Sequence, residues 1–353
     1  MAANDAGAVT EQTDSQDTKR APTPNFTFPQ SVLTGETADV YFQRAQMLLK
    51  REGLNPLVTM EIFSNGHGIL CGVREVIDLL RTVLNRDAEV WSLQEGDHFH
   101  PKQVVMRIID KYSPFGLYET AILGILAQSS GWATAARECV DAAAGIPVIS
   151  FGARHVHPRV AEILDYAAIV GGSITGSTTA GAQLQGLAPS GTMPHALILI
   201  FGDTVKAALA FDKHMPPDVP RIVLVDTFKD EVEESLRVAD ALGDHLYGVR
   251  LDTPAERGRV TADLVKEVRA KLDLAGYRDV KIIVSGGLTP DRIRYFIDNA
   301  APVDSFGVGS YVSGARPIDF TGDLKEIDGK PIAKRGRIPG ITPSPGLQKA
   351  ILW

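Results

Sequence analysis

Between residues 146 and 312, short apolar runs alternate with stretches whose apolar residues recur at helical spacing. The runs at 148–151, 222–225, 246–249, 282–284 and 306–308 are short and rich in β-branched residues, and they predict buried strands. A further strand is expected at 168–170. Between these runs, Val232, Leu236 and Ala239 share one helical face that Gly243 ends. Ile293, Phe296 and Ile297 share another, opened by Thr289-Pro290. Thr253-Pro254-Ala255-Glu256 has the form of a capping box and predicts a helix start there. Strand and helix in regular alternation imply parallel strands, in either a doubly wound sheet or a barrel.

The flanking segments follow another pattern. Residues 38–52 predict a helix, with Ala45, Leu48 and Leu49 on one face and Gly53 as its stop. A short strand is expected at 61–63 and a second helix at 73–84. Residues 117–144 form a long Ala-rich apolar stretch, suited to a connector helix or a dimer core. Residues 317–353 are rich in Gly, Pro and basic residues. They carry a candidate hairpin at Asp328-Gly329 and return to the N-terminal part, because the strand–helix repeat is already complete.

The chain has 353 residues, enough for roughly two domains at about 150 residues each. Lys plus Arg number 36 against 43 for Asp plus Glu, so the net charge of −7 gives no general attraction to nucleic acid or anionic lipid. Two cysteines, Cys71 and Cys139, are too few for a disulfide framework or a four-thiolate zinc site. No apolar stretch approaches the roughly 18 residues of a membrane span. The first 25 residues contain no Leu, Ile or aromatic residue, and they are expected to be a disordered leader rather than a signal peptide. A soluble, cytoplasmic protein is the expectation.

The chemistry gathers where the strands end. Phe151-Gly152-Ala153-Arg154 offers an aromatic face and a guanidinium, a pair suited to a flat anionic ring. The turn from Gly171 to Gly181 carries the hydroxyls of Ser177, Thr178 and Thr179. Gly191-Thr192-Met193-Pro194-His195 opens an apolar helix, and Asp226, at the end of another strand, could hold one imidazole nitrogen of His195 and leave the other nucleophilic. Arg250 and Asp252 alternate onto one side of their strand end and suit a sugar phosphate with Mg²⁺. Ser285, Gly286 and Gly287, with Gly307, Gly309 and Ser310, form two glycine-rich turns at the last strands, where a barrel cradles phosphate. Neither a G-x-G-x-x-G turn after the first strand nor a Walker loop is present.

Taken in order, these motifs make the chain resemble the nicotinate phosphoribosyltransferases of the type II phosphoribosyltransferase family. The likeness runs from Thr37-Ala38-Asp39-Val40-Tyr41-Phe42 through the strand-end motifs to Ala333-Lys334-Arg335-Gly336-Arg337. It implies an α/β fold, with an irregular TIM-like (β/α) barrel over 146–315. A second α/β (α+β) domain would be formed from the N- and C-terminal segments, 31–145 and 316–353, after a leader at 1–30. It implies ATP-assisted transfer of phosphoribose from phosphoribosyl pyrophosphate to nicotinate, with Mg²⁺, giving nicotinate mononucleotide and pyrophosphate in NAD biosynthesis. His195 would be the phosphorylated residue and Asp226 its partner. Phe151 and the Tyr41 of a second subunit would sandwich the pyridine. Arg154 and Arg250 would take the carboxylate and phosphates, and Asp252 the ribose hydroxyls. A homodimer or higher assembly with shared active sites is expected, without nucleic acid, membrane or a protein-held metal site. Ser177-Thr178-Thr179 lacks the acid expected of a nicotinamide enzyme. Quinolinate phosphoribosyltransferase, which releases CO₂, and a non-catalytic relative that binds NAD precursors compete with this assignment.

Overall fold

The apolar runs between residues 146 and 312 pair side by side, all parallel. The computed structural model describes residues 25–350, so residues 1–24 of the leader expected at 1–30 lie outside the described residues, while its last residues are ordered, with Phe26 buried edge-on against Tyr166 at 5.2 Å. The strands, in chain order, are β1 (Leu57–Ser64), β2 (Gly68–Ile69), β3 (Glu89–Ser92), β4 (His98–Phe99), β5 (Val104–Lys111), β6 (Val148–Ser150), β7 (Arg221–Leu224), β8 (Leu246–Leu251), β9 (Lys281–Val284), β10 (Ser305–Val308), β11 (Phe320–Ile327), β12 (Lys330–Pro331) and β13 (Gln348–Lys349). The parallel sheet has the order β6-β10-β9-β8-β7. Val223, Val249, Ile282, Val284, Phe306 and Val308 are buried along it, as continuous apolar strands covered on both faces must be.

Helices pack on this sheet where the sequence places them. Glu231–Leu242 ends at Gly243, and Thr289 caps Pro290–Asp298 by accepting the Arg292 N–H at 3.3 Å. Two expectations fail. Residues 168–170 are not a strand but the last turn of the helix Ala161–Val170. A short apolar run fits either element, and here Leu164, Tyr166, Ala167 and Ala168 bury a continuous helical face. The chain then touches the β6 edge only through a parallel bridge, Ile149 to Thr175. The Thr253 capping box does not form either: 255–257 is a single 3₁₀ turn, and Thr253 donates its hydroxyl to buried Glu231 at 2.8 Å. The helix Ala262–Leu274 starts later, where Thr261 accepts the Leu264 N–H at 3.1 Å.

The second sheet mixes early and late segments in the order β12-β11-β1-β5-β3-β13. Its paired strands are antiparallel, and β1 lies between β5 and β11, residues from opposite ends of the chain. The β11–β12 hairpin turns at Asp328-Gly329, both in the left-handed region. The fold is therefore of the α/β class, with a parallel sheet and a separate antiparallel one. The helix Glu119–Ala142 joins the two cores: Ile122 and Leu126 pack under the antiparallel sheet, and Trp132, Ala136 and Cys139 pack under the parallel one. Cys71 and Cys139 are both buried free thiols. Among the described residues no helix is long and apolar enough to cross a membrane.

Candidate active site

The carboxyl ends of β6 to β10 bring most of the expected residues together, as the parallel arrangement requires. At the end of β8, Arg250 is gripped from three directions. It donates to Ser285 Oγ at 2.8 Å, to Thr192 Oγ1 at 3.3 Å and to Asp252 Oδ2 at 3.3 Å. Ser285, having accepted from Arg250, donates to Asp252 Oδ1 at 2.7 Å. The guanidinium also lies 4.8 Å above the Phe151 ring. An aromatic, a cation, a hydroxyl and an acid from three strands are thus held in one network.

Phe151 owes its position to a missing side chain. A Cβ on Gly307 would sit 2.3 Å from the Phe151 ring, so any other residue at 307 would evict the aromatic. The Ser285-Gly286-Gly287 turn is built in a related way. Gly286 and Gly287 have φ of 91° and 64°, a conformation that side chains disfavour. A Cβ on Gly287 would fall 2.2 Å from the Arg259 guanidinium. At the end of β10, Gly309 precedes the short helix Ser310–Ser313, and His155 lies close against Gly309. Ser310 is exposed there, as is Arg154 on the turn after Phe151.

His195 begins the helix His195–Phe201, and its Nε2 meets both carboxylate oxygens of Asp226, at 3.2 and 3.1 Å. Asp226 is 2% exposed and His195 39% exposed. The hydrogen bond to Asp226 raises the pKa of the imidazole above its ordinary value, against a smaller opposing effect of burial. The ring therefore holds its second proton to a higher pH than a free imidazole does, and in that form it can bind an anion. The next residue after the acid, Thr227, has a buried hydroxyl without a hydrogen-bond partner.

Other expected residues sit elsewhere. Thr178 is engaged within its own turn: its N–H and its hydroxyl both donate to Asp165 at 2.8 Å, and its Oγ1 caps the following turn at Gly181. Asp165, fully buried, also accepts from Ser150 at 2.9 Å. Ser177 is partly buried beside this knot. Tyr41 lies on the helix Val40–Glu52, 59% exposed, with its ring packed on Phe42 at 4.4 Å between centroids. Within one protomer it has no hydrogen bond to the strand ends, its hydroxyl donating to Asp39. Sequence reasoning missed Thr192 as a partner of Arg250, Asp165 as the anchor of the hydroxyl turn, and Arg259. Thr192 stands inside a motif whose signal is carried by His195, and Arg259 follows the Thr253 motif closely. Among the described residues no group of three or more His, Cys, Asp or Glu is placed to hold a metal ion.

Comparison with known proteins bears on this constellation. The family model for the N-terminal domain of quinolinate phosphoribosyl transferase matches residues 39–130, and the model for its C-terminal domain matches residues 132–323. Among solved structures the chain is similar to nicotinate-nucleotide pyrophosphorylase from Pyrococcus furiosus. The identity is 43% and the TM-score 0.82, over 90% of this chain and 81% of that one. Among curated proteins it is similar to nicotinate phosphoribosyltransferase pncB2 of Mycobacterium tuberculosis. That match is 31% identical over 247 residues, 68% of this chain and 52% of the relative. It is also similar to a probable nicotinate-nucleotide pyrophosphorylase (carboxylating) of Archaeoglobus fulgidus, 26% identical over 275 residues, 74% of this chain and 92% of the relative. The chain spans about half the length of the M. tuberculosis relative it matches.

These matches correct the resemblance drawn from the motifs. The assignment to the ATP-dependent nicotinate enzymes is set aside in favour of the quinolinate phosphoribosyl transferase family, and ATP as a co-substrate goes with it. The phosphohistidine role of His195, which served ATP coupling, falls with it. The chain is similar both to nicotinate phosphoribosyltransferases and to nicotinate-nucleotide pyrophosphorylases, so the strand-end motifs do not by themselves separate the two. With both family domains matched in order along most of its length, the chain belongs to the quinolinate phosphoribosyl transferase family.

Proposed function

We propose that the protein transfers phosphoribose from phosphoribosyl pyrophosphate to the ring nitrogen of quinolinate, releasing pyrophosphate and CO₂ and giving nicotinate mononucleotide. The observation that carries the reading is the Arg250–Asp252–Ser285 network on Phe151, with the His195–Asp226 pair at a neighbouring strand end. Quinolinate bears two carboxylates and the donor bears a phosphate and a pyrophosphate. Such a pair needs several cations around an aromatic surface, and Arg250, Arg154 and, in its protonated form, His195 supply them at the strand ends.

Displacement at the anomeric carbon passes through a state with positive charge on the ribose. The Asp252 carboxylate, fixed by Ser285 and Arg250, is suited to that charge and to the ribose hydroxyls. The glycine turns at 285–287 and 307–309 let phosphate oxygens approach the backbone. Phe151 supports the flat acceptor so that its nitrogen meets the anomeric carbon in line. Once the nitrogen has bonded and is positively charged, the adjacent carboxylate leaves as CO₂. The electron pair left on the carbon is stabilised by that charge and then takes a proton.

The five-stranded parallel sheet, extended at β6 by the Thr175 bridge, supports an irregular barrel. The exposed apolar face of the helix Val40–Glu52, with Val40, Tyr41, Met47 and Leu48, supports a homodimer in which Tyr41 reaches the partner's acceptor ring. The buried free thiols suit a reducing, cytoplasmic setting in NAD biosynthesis. The test is an assay with carboxyl-labelled quinolinate and phosphoribosyl pyrophosphate, without ATP. Pyrophosphate and labelled CO₂ should appear in equal amounts. Pyrophosphate released with nicotinate as acceptor, and no CO₂ from quinolinate, would overturn the assignment.

A further inference from the structure

The loop between β8 and the helix Ala262–Leu274 leaves the strand end that carries Arg250 and Asp252, and it is fixed at both of its ends. Thr253 donates to buried Glu231, Arg257 pairs with Glu231 at 3.5 Å, and Arg292 donates to the Val260 carbonyl at 2.7 Å. Between these anchors, Gly258 and Arg259 both take left-handed backbone angles, with φ of 93° and 65°. Glycine does this freely, whereas a long L-residue rarely does. Two backbone bonds into Pro254 and Ala255 hold the turn: Arg259 N–H to the Pro254 carbonyl at 3.1 Å and Gly258 N–H to the Ala255 carbonyl at 3.0 Å.

The conformation directs the Arg259 side chain back over the Gly286-Gly287 turn, its Nη1 occupying the space a Cβ on Gly287 would need. Its neighbours are all engaged: Arg250 with Ser285, Thr192 and Asp252, Arg257 with Asp230 and Glu231, and Arg292 with a carbonyl and two aromatic rings. The Arg259 guanidinium has neither a hydrogen bond nor an ion pair among the described residues, and the residue is exposed. A guanidinium fixed beside a glycine turn, with its donors unused, is built for an anion that arrives from solution.

We propose that Arg259 grips a phosphate of the phosphoribosyl donor against the Gly286-Gly287 turn. The proposal rests on the phosphoribosyl-transfer reading and names a donor-binding residue that acts beside Arg250. The donor offers two sources for that phosphate, the pyrophosphate and the ribose 5′-phosphate.

Calorimetric titration of the full chain with phosphoribosyl pyrophosphate, inorganic pyrophosphate and nicotinate mononucleotide tests it. In Arg259→Ala the dissociation constant for the donor should rise about 10- to 100-fold, the loss expected for charged hydrogen bonds. If the pyrophosphate is gripped, inorganic pyrophosphate weakens in parallel and the mononucleotide does not. If the 5′-phosphate is gripped, the mononucleotide weakens and pyrophosphate does not. Arg259→Gly separates binding from folding, because it relieves the left-handed backbone: donor binding should fall while the melting temperature holds or rises. Unchanged donor affinity in both variants, with tight wild-type binding, would overturn the proposal alone. A wild-type protein that binds no donor would overturn the transfer reading and the proposal together.

Discussion

Two ionic clusters, one in each sheet, use nearly the same side chains to opposite ends. In the antiparallel sheet Glu61, 1% exposed, accepts from Arg107 at 2.7 and 2.9 Å and from the Thr342 N–H at 3.0 Å. Arg107 donates also to the Thr342 carbonyl, and Lys325 to the Ile338 carbonyl. These bonds tie the C-terminal segment across the outer face of β1. At the parallel strand ends, Arg250 and Asp252 keep 18% and 23% of their side chains open, and His195 39%. The buried cluster is closed on itself and holds structure. The strand-end cluster is held in place but keeps donors and acceptors facing water. Burial of charge does not mark a site; fixed charge with spare hydrogen-bonding capacity does.

The sharpest test of this contrast is Glu61→Ala. It leaves the half-buried Arg107 with only the Thr342 carbonyl and removes the acceptor of the Thr342 N–H, and it should cost about 3 kcal/mol of stability, read by urea unfolding. Transfer activity per folded molecule should be unchanged. Arg250→Ala should do the reverse. Its kcat/KM should fall about 10²–10³-fold, in the range seen when one preorganised donor is lost, with little change in melting temperature. If the Glu61 variant lost activity while keeping its stability, the division between the two clusters would collapse.

A pH profile sharpens the strand-end side. The folded pKa of His195 is raised by Asp226, so the pair is fully formed below the unfolded value, near 6.5. It is lost as pH rises through the higher folded value. Asp252 supports the protonated ring and Arg250 opposes it. The KM for the donor or acceptor should therefore increase with pH through that range. Asp226→Asn should move the limb to lower pH, and an unmoved limb would deny His195 its cationic role.

The smallest effect is expected at Thr178. Thr178→Ala removes a cap and one of the bonds to Asp165, which should cost about 1 kcal/mol. The choice between pyridine acceptors should not change, because the hydroxyl already donates to Asp165. A changed acceptor preference would return Thr178 to the site.

What was legible in the sequence follows from the range of each signal. Thr289 and Gly243 act within a turn of themselves, and a helix starts at the one and stops at the other. The apolar runs marked the strands of the parallel sheet because a strand covered on both faces must be apolar throughout. Residues 168–170 failed because three apolar residues fit a helix end equally well. Thr253 failed because its hydroxyl serves Glu231, a residue 22 positions away that no local pattern reveals. Separations of 35 and 13 positions likewise hid the Arg250–Ser285 and Thr178–Asp165 bonds, and with them the division of labour among hydroxyls that look alike in sequence. The ATP reading failed for another reason: the motifs that carried it belong to a scaffold that several acceptors share.

The pairing of β1 with β11 has a consequence for how the molecule is made. Ser64 lies opposite Phe320 and Val58 opposite Ile327, so β1 leaves the ribosome long before its second neighbour exists. At about 5–20 residues per second the wait is on the order of 10–50 s. During that interval β1 can pair with β5 on one edge alone, and its other edge, with Met60 and Ile62 along the strand, is open to other nascent chains. The parallel half, translated entirely within the gap, has time to fold before the antiparallel half can close. Vectorial synthesis would thus finish the strand ends first and fasten the early sheet last.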